Sequence, residues 1–123
     1  MTSLNSHRDL LVWQKAMDLA VLTYELCKVM PKTEQYGLTS QMLRAAASVP
    51  ANIAEGNARG SRKDYARFVS IARGSAAELE THVNLCIRVK LLETSACAPT
   101  LALTDEISRM LNVLRAKLSE EAA

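Results

Sequence analysis

Apolar residues recur at steps of three and four along almost the whole chain, and few turn-forming residues interrupt them. In the first such segment they are Leu10, Trp13, Met17, Ala20, Tyr24 and Cys27. This spacing places the side chains on one face of an α-helix. The chain has only 4 Gly, 3 Pro and 4% aromatic residues. An all-β sandwich or barrel, which needs many turns and many aromatic or β-branched positions, is therefore disfavoured.

The pattern predicts four helices, over about residues 10–30, 34–57, 62–90 and 96–119. Pro31 ends the first helix, because a residue that precedes proline is pushed out of the α region. Thr33 and Glu34 offer an N-cap and a first-turn acid for the second. Short connections make sequential helices antiparallel neighbours. We expect one domain over residues 1–123, an all-α, antiparallel up-and-down four-helix bundle.

Three details of these helices follow from single residues. Pro50 lies inside the second helix, which is either one kinked helix or two short helices with a break. Ser61 and Asp64 have the spacing of a capping box, so the third helix starts there. Thr94 or Ser95 begins the fourth helix.

The first helix has more apolar surface than a small bundle needs. A second apolar stripe runs beside the first, through Val12, Ala16, Leu19, Leu22, Leu26 and Val29. The excess indicates a partner surface. In the third helix, Gly74 costs about 1 kcal/mol relative to Ala. The expected compensation is close approach of another helix, within the bundle or across a subunit boundary.

Basic residues cluster where the second and third helices meet. The whole chain has 15 Lys and Arg against 13 Asp and Glu, a formal charge of +2. Nucleic-acid binding would need a local cluster, and the candidate residues are Arg59, Arg62, Lys63 and Arg67, followed by Arg73. Cations at a helix N-terminus suit a phosphate backbone. The alternatives are a solvated surface that binds no ligand, and a protein-interaction scaffold whose partner is a polypeptide and whose basic run is only solvated.

Polar residues also form helical stripes. They are Gln41, Arg44, Ser48, Asn52 and Glu55 on the second helix, and Ser75, Glu78 and His82 on the third. One interpretation is a polar network or subunit contact that fixes helix register. The other is acid–base chemistry at Glu55 and Glu78, or metal binding with His82. The chain has no Glu-x-x-His, phosphate loop or nucleophile motif. We expect neither an enzyme nor a cofactor.

Cysteine usage and hydropathy predict a cytoplasmic protein. Cys27, Cys86 and Cys97 are an odd number without a C-x-x-C pair, so we expect buried thiols in a reducing compartment. The first nine residues lack the pattern of a signal peptide, and charged residues interrupt the most apolar segment. No membrane association is expected.

Four segments resemble a known family. They are Asp9–Ala16 (DLLVWQKA), Glu34–Gln41 (EQYGLTSQ), Ser48–Gly56 (SVPANIAEG) and Gly74–Glu80 (GSAAELE). Together they resemble the four-helix-bundle proteins encoded by intervening sequences of bacterial large-subunit (23S) ribosomal RNA genes. The resemblance covers nearly the whole chain. It is looser at His82, and residues 95–100 are less helical than in the family, which leaves the start of the fourth helix open.

The resemblance implies a small cytosolic four-helix bundle that assembles as a ring-shaped homopentamer. It also implies a fold related to the accessory variability protein of diversity-generating retroelements, which binds nucleic acid and a reverse transcriptase. For this chain we therefore expect a ring-shaped homo-oligomer with a repeated basic surface. We expect the protein to bind other copies of itself and to bind RNA or DNA.

Overall fold

The computed structural model describes residues 6–122, and within them it has four α-helices and no strand. The helices are α1 (Leu11–Cys27), α2 (Leu38–Ala58), α3 (Arg62–Arg88) and α4 (Thr94–Ala122). Short 3-10 turns precede α1, at His7–Asp9, and α2, at Lys32–Glu34. The predicted all-α four-helix fold is confirmed.

Each helix packs against two others. In the described part of the chain, α1 contacts α2 and α4, and α3 contacts α2 and α4, while the diagonal pairs do not meet. Because the connections are short, neighbouring helices run antiparallel. The turn between α2 and α3, the start of α1 and the end of α4 therefore lie at one end of the bundle. We call this the turn end.

The helix boundaries differ from the predicted ones at several places. α1 ends at Cys27, three residues before the predicted end, and Lys28 is its C-cap. α2 begins only at Leu38: Thr33 and Glu34 lie in the 3-10 turn, and Gly37 is the N-cap. Glu34 still contributes, because its Oε1 accepts a hydrogen bond of 3.3 Å from the Leu38 backbone N–H.

The remaining helix details follow the sequence closely. α2 is continuous through Pro50, so the alternative of two short helices is wrong. Ser61 is the N-cap of α3, and its hydroxyl accepts a hydrogen bond of 3.1 Å from the Asp64 N–H. α4 starts at Thr94, two residues before the approximate start at 96, and it continues through Pro99.

The core is aliphatic and runs the length of the bundle. Its largest fully buried side chains include Leu19, Met42, Ile53, Leu79, Ile107 and Leu111. Two buried threonines, Thr23 and Thr104, donate to carbonyl oxygens four residues back, at 2.8 and 2.7 Å. These bonds satisfy hydroxyls that would otherwise be costly to bury. None of the helices within residues 6–122 is both long enough and apolar enough to cross a bilayer.

Of the two apolar stripes of α1, one is buried in the core and the other packs against it only in part, through Leu10, Trp13, Ala20 and Cys27. Val12, Ala16, Leu19 and Leu26 are buried. In the other stripe, Met17 is 41% exposed and Tyr24 is 54% exposed. The surplus apolar surface predicted for this helix therefore lies on the outside of the protomer.

Candidate functional site

The turn between α2 and α3 gathers the predicted basic residues at one end of the bundle. Gly60 lies in this turn with φ of +87°, a left-handed conformation that glycine adopts without a side-chain penalty. Ser61 then caps α3, so Arg62 and Lys63 occupy its first turn. Both are exposed, in a helix turn that favours anions through its free N–H groups.

A glycine at the end of α2 lets α3 approach closely. A Cβ added at Gly56 would lie 2.8 Å from the Cβ of Phe68 and 3.1 Å from Cδ1 of Tyr65. Real Cβ atoms do not come this close, so only glycine allows the two helices to pack at this distance. Gly56 was expected to be part of the second helix, but its role in close packing was not predicted.

Gly74, by contrast, has no close neighbour. A Cβ added there would meet nothing within 4 Å, and the residue is exposed. The expectation that Gly74 permits close approach of another helix within the bundle is therefore wrong. Of the two alternatives, contact across a subunit boundary remains.

Two arginines of the cluster stack on one aromatic ring. The guanidinium carbon of Arg59 lies 4.9 Å from the centroid of Phe68, and that of Arg67 lies 4.6 Å from it. Arg59 also pairs with Glu55, Nε to Oε2 at 3.0 Å, and Arg67 approaches Asp64 at 3.9 Å. Arg59 and Arg67 thus each have one carboxylate nearby.

A groove lies beside the cluster at the turn end. It is lined by Gly56, Asn57, Gly60, Ser61, Arg62, Tyr65 and Leu118. Burial raises the pKa of Tyr65, and the nearby Asn57 side chain partly counteracts the rise. The tyrosine hydroxyl is itself buried and has no hydrogen-bond partner among the described residues.

The two polar stripes meet between α2 and α3. The hydroxyl oxygens of Ser48 and Ser75 lie 2.8 Å apart. Asn52 Nδ2 donates to both the carbonyl oxygen and the hydroxyl of Ser48, each at 2.8 Å. Ser75 is only 8% exposed, so this small network satisfies polar groups inside the helix contact.

The other predicted members of the network lie nearer the surface. Arg44 Nη2 is 4.0 Å from Glu78 Oε2, with 68% and 43% of the two side chains exposed. His82 Nε2 is 3.5 Å from the same carboxylate oxygen. Arg44 also donates to Gln41 Oε1. An exposed pair of this kind adds little to stability.

Glu55 does not join this network, which is a correction to the prediction. Its partner is Arg59 at the turn end. From the Ser48–Ser75 contact, Glu55 lies seven residues toward the turn end and Glu78 three residues the other way, so a rise of 1.5 Å per residue separates them by about 15 Å. Glu55 and Glu78 are too far apart to act as an acid–base pair on one atom. No group of His, Cys, Asp and Glu in the described residues has metal-site geometry.

An apolar groove separates α1 from α2 on the outer surface. It is lined by His7, Trp13, Met17, Ala20, Ala47, Pro50, Ala51 and Ala54. Trp13 is half-buried, and its ring stacks edge-on to His7 with centroids 5.0 Å apart. The exposed stripe of α1 forms one wall, and small residues of α2 form the floor. This shallow groove is thus almost entirely apolar and has few hydrogen-bonding groups.

The three cysteines are thiols in this fold. Cys86 and Cys97 are buried and Cys27 is half-buried. Burial, with a smaller contribution from nearby Cys86, raises the pKa of Cys27 from 9.0 to about 11. Burial also raises the pKa of Cys86 and of Cys97. Protonated, desolvated thiols are poor nucleophiles.

Comparison with known proteins places the chain in a family. The family model described as 23S rRNA-intervening sequence protein matches residues 8–113. A search of curated proteins gives no match. Among solved structures, the chain is similar to the crystal structure of a protein with unknown function from the S23 ribosomal protein family of Bacteroides thetaiotaomicron VPI-5482. That similarity has a TM-score of 0.79 and 26% identity, and it covers 85% of this chain and 98% of the other. The chain belongs to the 23S rRNA-intervening sequence protein family.

Proposed function

We propose that this protein is a non-enzymatic, cytoplasmic homo-oligomer, a ring of five copies, that binds the phosphate backbone of RNA or DNA. Each copy contributes the basic cluster Arg59, Arg62, Lys63 and Arg67. The number five rests on the family resemblance described above. The observation that carries the binding proposal is the convergence of these four cations at one end of the bundle, where two of them are held on Phe68.

The apolar groove between α1 and α2 supports self-association. Trp13, Met17 and Ala20 present apolar atoms there, opposite Pro50 and the alanines of α2. Contiguous apolar patches on soluble proteins mark interaction surfaces. A second copy of the chain is the proposed occupant, because the bundle carries a second apolar face that suits it.

That second face lies on the outer side of α3. Ile71 is 41% exposed and Leu85 is 43% exposed, and Gly74 and the carboxylate of Glu78 lie between them on the same side of the helix. The helix cost of Gly74 is not offset within the protomer, and the missing side chain leaves room for a neighbouring helix. Contact between two different patches is heterologous, and such contacts form a ring when the rotation between copies closes.

Backbone binding is supported by the chemistry of the basic cluster. Arg59 and Arg67 are 44% and 58% exposed, so each guanidinium retains donors that face solvent. A guanidinium has five N–H donors, more than its carboxylate partner uses. Assembly would repeat the cluster once per copy, and several weak phosphate contacts then add up to avidity.

Fluorescence anisotropy with a structured RNA and a duplex DNA over a salt series tests the proposal. We expect binding at low salt, with an affinity that falls steeply as salt rises because bound counterions are released. Replacing Arg59, Arg62, Lys63 and Arg67 with Ala should abolish binding at 150 mM salt. The matched control removes four cations at the opposite end, as K28A, K32A, R88A and K90N. Asn is used at Lys90 because that residue has φ of +65°.

The control variant should bind nearly as the unchanged protein does. Absence of binding at low salt, or equal losses in the two quadruple variants, would contradict backbone binding through the turn end. Equal losses in the two variants would mean that the net charge of the protein alone explains the affinity.

One observation favours the alternative of a scaffold for a polypeptide partner. Glu55 and Asp64 already pair with Arg59 and Arg67, which lowers the field that a nucleic acid meets. Pull-down from nuclease-treated lysate distinguishes the two proposals, because only a protein partner survives removal of nucleic acid.

A further inference from the structure

Two cations of the basic cluster contact the aromatic ring of Phe68. Arg59 extends from the end of α2 and Arg67 from α3, yet both guanidinium carbons lie within 5 Å of the same ring centroid, at 4.9 and 4.6 Å. Attraction between a guanidinium and an aromatic ring keeps each arginine in place.

The position of Phe68 depends on the close contact made at Gly56. Because Gly56 has no Cβ, the Cβ of Phe68 packs directly on the α2 backbone. Arg59 follows Gly56 by three residues, at the C-cap of α2, and its side chain reaches across the ring. Helix packing, rather than the ligand, therefore brings an arginine from each helix to one place.

A carboxylate also lies near the Nε atom of each arginine. Glu55 Oε2 lies 3.0 Å from Nε of Arg59, and Asp64 Oδ1 lies 3.9 Å from Nε of Arg67. Nε is the atom that each carboxylate approaches, so the terminal Nη groups remain available as donors. A flexible arginine loses much rotamer freedom when it binds, and one that is already fixed loses less.

We propose that Phe68 is a positioning residue of a phosphate clamp, in which Arg59 and Arg67 contact neighbouring phosphodiesters of one nucleic-acid strand. This inference rests on the proposed function and adds its geometry. The two guanidinium carbons are less than 10 Å apart. A strand carries one charge per roughly 3.4 Å of helix axis, so two arginines within this limit can contact two neighbouring phosphates. Because the ring is engaged by arginines, the clamp contacts backbone and does not stack bases.

The test compares Phe68→Leu and Phe68→Tyr with the unchanged protein and with Arg67→Ala, by anisotropy on duplex DNA over a salt series. Leu keeps apolar volume but lacks the aromatic ring, and Tyr keeps the ring. We expect F68L to weaken binding by about three- to tenfold with the same salt slope, because no charge is removed. F68Y should bind like the unchanged protein. R67A should lower both the affinity and the slope, the latter by about one.

Proton NMR of the free protein gives a readout that does not depend on binding. The side-chain protons of Arg59 and Arg67 should show ring-current shifts, which F68Y retains and F68L loses. If F68L fails to fold, absence of these shifts in the unchanged protein would overturn the clamp, and their presence with retention in F68Y would support it.

The outcomes separate this inference from the proposed function. If R67A weakens binding but F68L binds like the unchanged protein, the clamp is wrong and backbone binding stands. If F68L changes the salt slope, the variant has altered the charges at the surface and a positioning role is overturned. If the unchanged protein binds no nucleic acid at low salt, both proposals fall.

Discussion

Ser48 and Ser75 share a hydrogen bond of 2.8 Å across the contact between α2 and α3. Most of the fully buried side chains in this contact are aliphatic, and they would tolerate a shift of one helix along the other. A hydrogen bond between two half-buried or buried hydroxyls does not tolerate such a shift, because it would leave both unsatisfied. The serine pair therefore specifies the register that places Arg59 next to Phe68.

We predict unequal costs for removing the two serines. S48A leaves Ser75 and Asn52 without a partner hydroxyl, so it should lower the free energy of unfolding by about 1–3 kcal/mol. S75A leaves Ser48 still bonded to Asn52 and should cost less. Urea unfolding of both single variants and the double variant measures the coupling, expected near 1 kcal/mol. Additive effects would show that the hydroxyls do not interact.

Gly56 and Gly74 should respond in opposite ways to alanine. At Gly56 the new methyl would collide with Phe68, and overpacking costs about 1–3 kcal/mol, more than the helix propensity that Ala gains. At Gly74 it meets nothing, so G74A should stabilise the protomer by about 0.5–1 kcal/mol. Urea unfolding is best measured in a monomeric background. Equal effects of the two changes would contradict the close contact at Gly56.

Cys27 should react slowly despite being only half-buried. Its pKa, raised from 9.0 to about 11, leaves about a hundredfold less thiolate at pH 8 than an unperturbed thiol has. Alkylation by iodoacetamide, followed by peptide mass spectrometry, should modify Cys27 quickly only in denaturant. Rapid modification of the folded protein at pH 8 would contradict a desolvated thiol.

The same pKa shift sets the direction of a pH effect on stability. The folded protein favours the neutral thiol, so the contribution is fully present below pH 9 and is lost as pH rises from about 9 to about 11. The midpoint of urea unfolding should therefore fall over this range, and C27S should show a smaller fall. An equal fall in C27S would assign the effect to other groups.

A charge placed in the apolar groove should block self-association. Met17→Glu puts a carboxylate on the groove wall, where a docked copy would have to desolvate it. The matched control is Val113→Glu, because Val113 is also an exposed apolar residue, 61% exposed, but on α4. Sedimentation velocity should report smaller particles for M17E and unchanged particles for V113E. The reverse result would move the interface to α4.

Much of the fold is predictable because its signals are local. The period of three and four along α1 and the cap at Ser61 each act through neighbouring residues. The start of α2 was predicted wrongly because it too was inferred from a local signal. Thr33 and Glu34 resemble a helix start, but the chain makes a 3-10 turn first and the helix begins after Gly37.

The site could be predicted only in part, because its contacts join residues distant in sequence. The basic cluster is visible as a run of residues, whereas the stacking of Arg59 and Arg67 on Phe68 depends on how closely α2 and α3 pack. The sequence also indicated that Gly74 lowers the stability of its helix, but it could not show that Gly56 is the glycine at which α2 and α3 pack closely. Glu55 was grouped with the polar stripe although it lies beside Arg59, because a helical stripe does not reveal the level of each residue along the bundle.

Light scattering on the purified protein at micromolar concentration tests the central claim most directly, because the repeated basic surface requires several copies. The account predicts a particle of about five times the 13.5 kDa protomer mass. A particle of 13.5 kDa that stays monomeric at low salt would contradict it.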